Sequence, residues 1–361
     1  MQIDSSERWE IGSDFHWDFK NYSETIKDQL IAKSQLLGTG RYALKLIIDW
    51  GRRKYNWKRI WLPSYFCPEV IDSIITTGIK TEFYYDDPIN GFNIYENNYE
   101  IGDVILVNNL FGLRSQPLYN SLKRSYIQII EDHSHDPWSD WSLNSEADWC
   151  FASLRKSLPI SDGAILWSPK GHQMPPWPQL SSNHYQASLE KFIGMVLKTN
   201  YLQGMSVDKE YYRDFLINGE RRIGTSESSD ITDFSKKQLS KIPIDFIREK
   251  KNQNRAILIN QIRNLKIFQI LESSQSPNSC PFSVILYFNT TRIKEFFFNS
   301  LLENKIYPAI LWPIKEGLSK QIPSSNIDFS NKMFSLHCDY RYNAEDMSRI
   351  SENIIRISKK L

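Results

Sequence analysis

The chain has 361 residues, 41% of them hydrophobic and 24% charged, with 44 Lys and Arg against 42 Asp and Glu. A net charge of +2 gives no general attraction to nucleic acid or to an anionic membrane surface. The length suits two domains with sizeable cores, and no run approaches the ~18 apolar residues of a membrane-spanning helix.

In chain order, the segment MQIDSSERWEIGSDFHWDF carries acids and lacks an apolar core, so it does not read as a signal peptide, and a cytoplasmic location is expected. GTGRYALKLII (38–48) is a glycine-punctuated entry to a helix, with Leu44, Ile47 and Ile48 at helical spacing. Arg52, Arg53, Lys54, Lys58 and Arg59, interleaved with Tyr55 and Trp57, read as its solvated end. RIWLP (59–63) is a short buried strand, and PEVIDSIITTG (68–78) is a helix opened by proline and closed by glycine. IKTEFYYD (79–86), DVILVNNLFG (103–112) and YIQIIED (126–132) read as strands, and WCFASL (149–154) with GAILWS (163–168) as a hairpin or adjacent strands. Alternation with short connections predicts an α/β layer on a mainly parallel sheet. Residues 185–270 are helical in pattern, with the polar GTSESSD (224–230) as a loop. FSVILYFN (282–289), IYPAILWP (306–313) and KMFSLHCDYRY (332–342) return to strands before an amphipathic helix, AEDMSRISENIIRISKKL. The expected division is a large α/β domain over 1–250 and a smaller α+β domain over 251–361. Cys67, Cys150, Cys280 and Cys338 are far apart, which suggests neither a zinc site nor a disulfide framework.

Two segments carry the chemistry. IIEDHSHD (129–136) ends an apolar strand in acid, where ligands of open α/β sheets bind. SLRKSLPISDGA (153–164) places Lys156 just past another strand. A strand-end carboxylate and a nearby lysine are what pyridoxal phosphate requires: an amine to join the cofactor aldehyde, and an acid to keep the ring nitrogen protonated. Arg155 is a cation that would favour the neutral amine of Lys156. The helix start at Gly40 suits a phosphate, and the Ser153 hydroxyl can add to that site. His133 and His135 lie just beyond Asp132 and can hydrogen-bond or move protons near neutral pH. Taken singly, Asp132 is as readily a loop acid or helix cap, and Lys156 an exposed lysine; their order on one layer is the signal.

GTGRYAL (38–44), LPSYFCPEV (62–70), NNLFG (108–112), IIEDHSHD and SLRKSLPISDGA together resemble the DegT/DnrJ/EryC1/StrS family of pyridoxal-phosphate-dependent sugar aminotransferases, of fold type I. PAILWP (308–313) and FSLHCDYRYNAEDM (334–347) are similar to that family's small domain. The resemblance implies that Lys156 carries the cofactor and shuttles the α-proton, that Asp132 pairs with the pyridine nitrogen, and that His135 lies beside the phenolic oxygen. It also implies that Ser153 and the Gly40-Arg41-Tyr42 backbone hold the phosphate, and that Phe66 or Cys67 covers the ring face. Three departures stand out. Ser153 is closer to the lysine than the family's usual serine, Asp162-Gly163 replaces a glycine pair, and 219–240 lacks the asparagine- and arginine-bearing loop by which a neighbouring subunit completes the phosphate site. The implied activity is amino transfer from a donor such as glutamate to a keto-sugar nucleotide, in a homodimer. The alternatives are a non-catalytic relative that binds pyridoxal phosphate or a nucleotide sugar, and a dehydratase, which in this fold has histidine in place of the lysine. A cofactor-free α/β protein, with Asp132 and Lys156 at strand ends by coincidence, is a further one.

Overall fold

The structure is a computed structural model, and it describes residues 8–17, 28–122, 126–225, 228–272, 278–314 and 322–361. Its largest sheet has seven strands: β1 (Gln35–Leu37), β2 (Arg59–Pro63), β3 (Lys80–Tyr84), β4 (Asp103–Asn108), β5 (Gln128–Asp132), β6 (Trp149–Ser153) and β7 (Ala164–Trp167). They lie in the order β1-β7-β6-β5-β4-β2-β3. The pairs from β6 to β3 are all parallel, and β7 runs antiparallel to both of its neighbours. WCFASL and GAILWS are therefore adjacent antiparallel strands.

β4 shows why a continuous apolar run reads as a central strand. Val104 and Leu106 face one way, onto a core shared with Leu44, Ile47 and Ile71; Ile105 and Val107 face the other, toward Trp138, Trp141 and Ile165. Both faces are covered, so every position from Val104 to Val107 is apolar while the side chains still alternate. Helices α1 (Gly40–Lys54) and α2 (Pro68–Ile75) cover the first face.

Beyond the sheet come α3 (Ser182–Leu202), α4 (Lys209–Thr225) and α5 (Ile244–Ile262). The polar segment 224–230 begins inside α4, and its residues 226–227 lie outside the described residues. The boundary expected near residue 250 falls inside α5. A second, three-stranded antiparallel sheet joins β8 (Phe268–Ile270), β9 (Val284–Phe288) and β10 (Met333–Leu336). Leu258, Ile259 and Ile262 of α5, Phe297 and Leu301 of α6 (Thr291–Glu303), and Met347, Ile350, Ile354 and Ile357 of α7 (Ala344–Ser358) bury against it. Spacings of three and four put the α7 residues on one stripe, and a capping box between Asn343 and Asp346 fixes where the helix starts.

The strands expected over 306–313 and 332–342 are shorter than the apolar pattern suggested. Ile306–Tyr307 pairs in parallel with Ile11–Gly12 far away in sequence, Ala309 makes an isolated bridge to Ser335, and the chain then turns away. Pro308 and Pro313 carry no amide hydrogen, so this stretch cannot sustain a ladder.

Candidate active site

Ala164 in β7 pairs with Leu37 on one side and with Ser153 on the other, so β1 and β6 end at the same level. The chain leaving β1 enters α1 at once. Its first turn is thereby set against Ser153, where a Cβ at Gly40 would lie 3.1 Å from the serine Cβ. Thr39 caps the helix in an extended conformation, and its Oγ1 accepts the Tyr42 N–H at 3.2 Å. The Gly40 and Arg41 amides, in the first turn, have no acceptor within the helix. Of the three amides expected at a phosphate, Tyr42's is thus already used. Its buried ring turns into the core, where the hydroxyl donates to the Ile223 carbonyl at 3.0 Å. The Arg41 side chain pairs with Glu69 at 3.4 Å and Glu220 at 3.5 Å.

Lys156 ends the short turn Leu154–Lys156 that follows β6. It is half-buried, its Nζ lies 5.8 Å from the ring centre of Trp312, and among the described residues it makes no hydrogen bond or ion pair. The guanidinium expected to act beside it is neutralised elsewhere. Arg155 turns to Glu220 in a two-pronged pair, with Nη2 to Oε1 at 2.7 Å, and Lys191 reaches the same carboxylate at 2.5 Å. Burial alone would raise the Glu220 pKa; Arg155 and Lys191 hold it far below the carboxylate range.

Asp132 is the last residue of β5, half-buried, with Oδ1 accepting the Ser134 N–H at 2.8 Å. The Ser134 hydroxyl in turn accepts the Ser153 N–H at 3.0 Å and so ties the acid loop to the lysine strand. His135 is fully enclosed. The Phe111 N–H donates to its Nδ1 at 2.9 Å, so the neutral ring carries its hydrogen on Nε2. That Nε2 is buried with no partner among the described residues. Burial, then the charges of Lys156 and Lys251, push the His135 pKa well below its usual value. The ring stacks on Trp312 at 5.6 Å and 20° and on Phe111 at 5.9 Å and 25°.

Phe66 lies in the core beneath the strand ends, its ring 6.4 Å from Trp312 in an edge-on contact. Cys67 lies at the α2 cap. Burial pushes its thiol pKa up, and the Lys156 charge opposes the shift. His133, unlike His135, faces away from this region. It pairs with Glu131 at 2.8 Å in a buried group with Cys150, where Glu131 also accepts from Trp141, Ser145 and Tyr119.

Asp162 is the anchor that sequence reasoning passed over as a departure. It is fully buried and accepts from His184 Nε2 at 2.8 Å, Ser188 Oγ at 2.8 Å, Thr232 N at 2.9 Å and Thr232 Oγ1 at 2.6 Å. Burial alone would raise its pKa; the bond and charge of His184, with Ser235 and Thr232, bring it below the usual carboxylate range. Gly163 follows at φ +142°, where a Cβ would press on Ile160 at 2.8 Å. Its N–H donates to the Gly38 carbonyl at 2.7 Å and its carbonyl accepts the Leu154 N–H at 3.0 Å. One turn thus holds both the α1 entry and the lysine loop. A cavity of about 400 Å³ opens beside Lys156, with Lys251, Phe282, Arg341 and residues 13–15 in its wall. Trp312, Lys251 and Asp162 were the site residues that strand and helix patterns alone did not single out.

No family model matches the chain, and no curated protein matches it significantly. Solved structures do. PseC from Helicobacter pylori, an aminotransferase involved in pseudoaminic acid biosynthesis, superposes with a TM-score of 0.65 at 11% identity, over 98% of this chain and 100% of that one. The DesI structure, determined with its TDP-sugar product, gives 0.63 at 12% identity over 90% and 80%. The putative sugar aminotransferase Spr1654 from Streptococcus pneumoniae, in its pyridoxal phosphate form, gives 0.59 at 13% over 91% and 87%. The chain has the fold of these aminotransferases. That is the fold its motifs pointed to, with a mainly parallel sheet flanked by helices. Among the described residues no helix is long and apolar enough to cross a membrane.

Proposed function

We propose that this chain is a pyridoxal-phosphate-dependent aminotransferase that takes the amino group of an amino acid such as glutamate and delivers it to a keto-sugar carried on a nucleotide. The observation that carries the reading is the presence at the same sheet end of Lys156, an amine with no hydrogen bond or ion pair among the described residues, and the buried Nε2–H of His135, which has no partner among them either. A donor enclosed without an acceptor is costly, and a ligand oxygen would satisfy it.

The residues fit the cofactor. Lys156 would hold its aldehyde carbon and later carry a proton to and from the substrate. Asp132, with one oxygen already oriented by the Ser134 amide, would face the ring nitrogen. His135 would donate from Nε2 to the phenolic oxygen, the nitrogen on which the Phe111 amide leaves the hydrogen of the neutral ring. Ser153 and the Gly40 and Arg41 amides would receive the phosphate at the start of α1, where the helix dipole favours an anion. Cys67 would border the ring near Lys156. When bound, pyridoxal phosphate supplies the electron sink for breaking the bonds at the substrate carbon. The same reading carries a homodimer, a cytoplasmic location and a division into two domains near residue 250. Spr1654 solved in both pyridoxal and pyridoxamine phosphate forms, and DesI with a TDP-sugar product, support the choice of cofactor and acceptor class.

The test is spectroscopic. Purified protein given pyridoxal phosphate is expected to gain a visible band that glutamate bleaches, and Lys156→Ala is expected to lack both responses. Unchanged turnover in Lys156→Ala would refute the assignment.

A further inference from the structure

The cavity beside Lys156 holds a second amine that nothing in the site explains. Lys251 projects from α5, is only 7% exposed, and lines the cavity with its Nζ 5.8 Å from the ring centre of Phe282. Among the described residues it makes no hydrogen bond or ion pair. Asp136 is near enough to feel its charge, yet both Asp136 oxygens are engaged, by Arg248 and by the Cys280 N–H. The Lys251 Nζ is not among the enclosed unpartnered atoms and so meets the cavity space, where an amine with no acceptor from the described residues is placed to take one from a ligand.

The remaining charges in the wall are matched. Arg155 is held by Glu220, and Arg341 by Asp339 at 2.7 and 2.9 Å. Lys156 is committed to the cofactor in the function proposed above. That leaves Lys251 as one cation unpaired among the described residues, and Asp14 as one exposed carboxylate in the same wall. A single unpaired positive charge suits a monoanion. A dianionic phosphate would bring one negative charge too many past Asp14. We propose that Lys251 binds a carboxylate of the amino donor, and so selects carboxylate-bearing amines over neutral ones. This inference rests on the aminotransferase reading for the identity of the ligand, though not for the existence of the carboxylate site.

Glutarate, which has the carboxylates of the donor and no amine, is the probe, with inorganic phosphate as the competing chemistry. Binding of each to the full chain is measured by calorimetry for the wild type, Lys251→Met and Lys251→Arg. The expected result is glutarate binding that weakens about ten- to a hundredfold in Lys251→Met, from loss of one charge-assisted hydrogen bond, and largely returns in Lys251→Arg. Phosphate is expected to show no such dependence. Equal glutarate affinity in wild type and Lys251→Met, no glutarate binding by the wild type, or a Lys251 dependence seen for phosphate alone would each overturn the proposal. The aminotransferase reading fails separately, if Lys156 gives no visible band with the cofactor while glutarate binding still depends on Lys251.

Discussion

Removing the Asp162 carboxylate tests whether the turn it anchors holds the site together. Both oxygens are saturated: Oδ1 accepts from the hydroxyls of Ser188 and Thr232, and Oδ2 from His184 Nε2 and the Thr232 amide. In Asp162→Asn the side-chain oxygen can keep the Oδ2 position. Its NH2 then faces two hydroxyls, which rotate to accept. The loss is the charge assistance, about 2 kcal/mol. Asp162→Ala strands all those donors in a dry core, and about 3–5 kcal/mol is expected. Urea unfolding followed by tryptophan fluorescence at pH 7 gives both values from the shift in midpoint. The pH dependence has a fixed sign. The folded pKa of Asp162 lies below its unfolded value of about 3.9, so the carboxylate's contribution is present above that value and lost as pH falls through the folded pKa. The wild-type advantage over Asp162→Asn therefore shrinks in strong acid. An alanine variant within about 1 kcal/mol of wild type at pH 7 would refute the argument, since it would mean those donors find other acceptors without cost.

Gly51→Ala in α1 is expected to destabilise the protein by about 1–3 kcal/mol, although the same change in an open helix gains about 1, because the new methyl would collide with the Trp57 ring; thermal melts decide the sign. Arg114→Met leaves the fully buried Asp86 without the guanidinium that holds both its oxygens, at a cost of about 3–5 kcal/mol at pH 7. Burial already raises the Asp86 pKa, and the Arg114 charge opposes that rise, so the deficit should be smaller at pH 5 than at pH 7 as the lone carboxyl takes up a proton; unfolding midpoints at the two pH values check this.

Strand ends were the most legible part of the site. The run before Asp132 and the break after Ser153 mark where two parallel neighbours stop, and the β6–β7 pairing then fixes α1 beside them. Thr39 also carried a readable signal. A threonine immediately before a helix consumes one first-turn amide, which removes Tyr42 from the set expected at a phosphate. Other features depend on partners distant along the chain. His184 meets Asp162 across strand β7 and the loop 168–181, and neither residue belongs to a local pattern that names the other. Lys251 sits in the polar run REKKNQNR, where helical periodicity cannot tell a solvated lysine from one driven into a cavity. Trp312 followed an apolar stretch that reads as strand, and only the flanking prolines hinted that the ladder stops early.

The pairing of Ile11–Gly12 with Ile306–Tyr307 has a consequence for biosynthesis. During translation the first of these strands leaves the ribosome long before its partner exists. Residues 13–15, which follow it, form one wall of the cavity beside Lys156, and residues 307–309 and 337–339 form another. The seven-stranded sheet can form around Lys156 while more than half of the chain is still to be made, yet the cavity stays open until the second sheet folds. A nascent chain stalled before residue 306 would thus present Lys156 on the seven-stranded sheet with the wall from residues 307–309 and 337–339 missing. Closing the site is one of the last steps in making this protein.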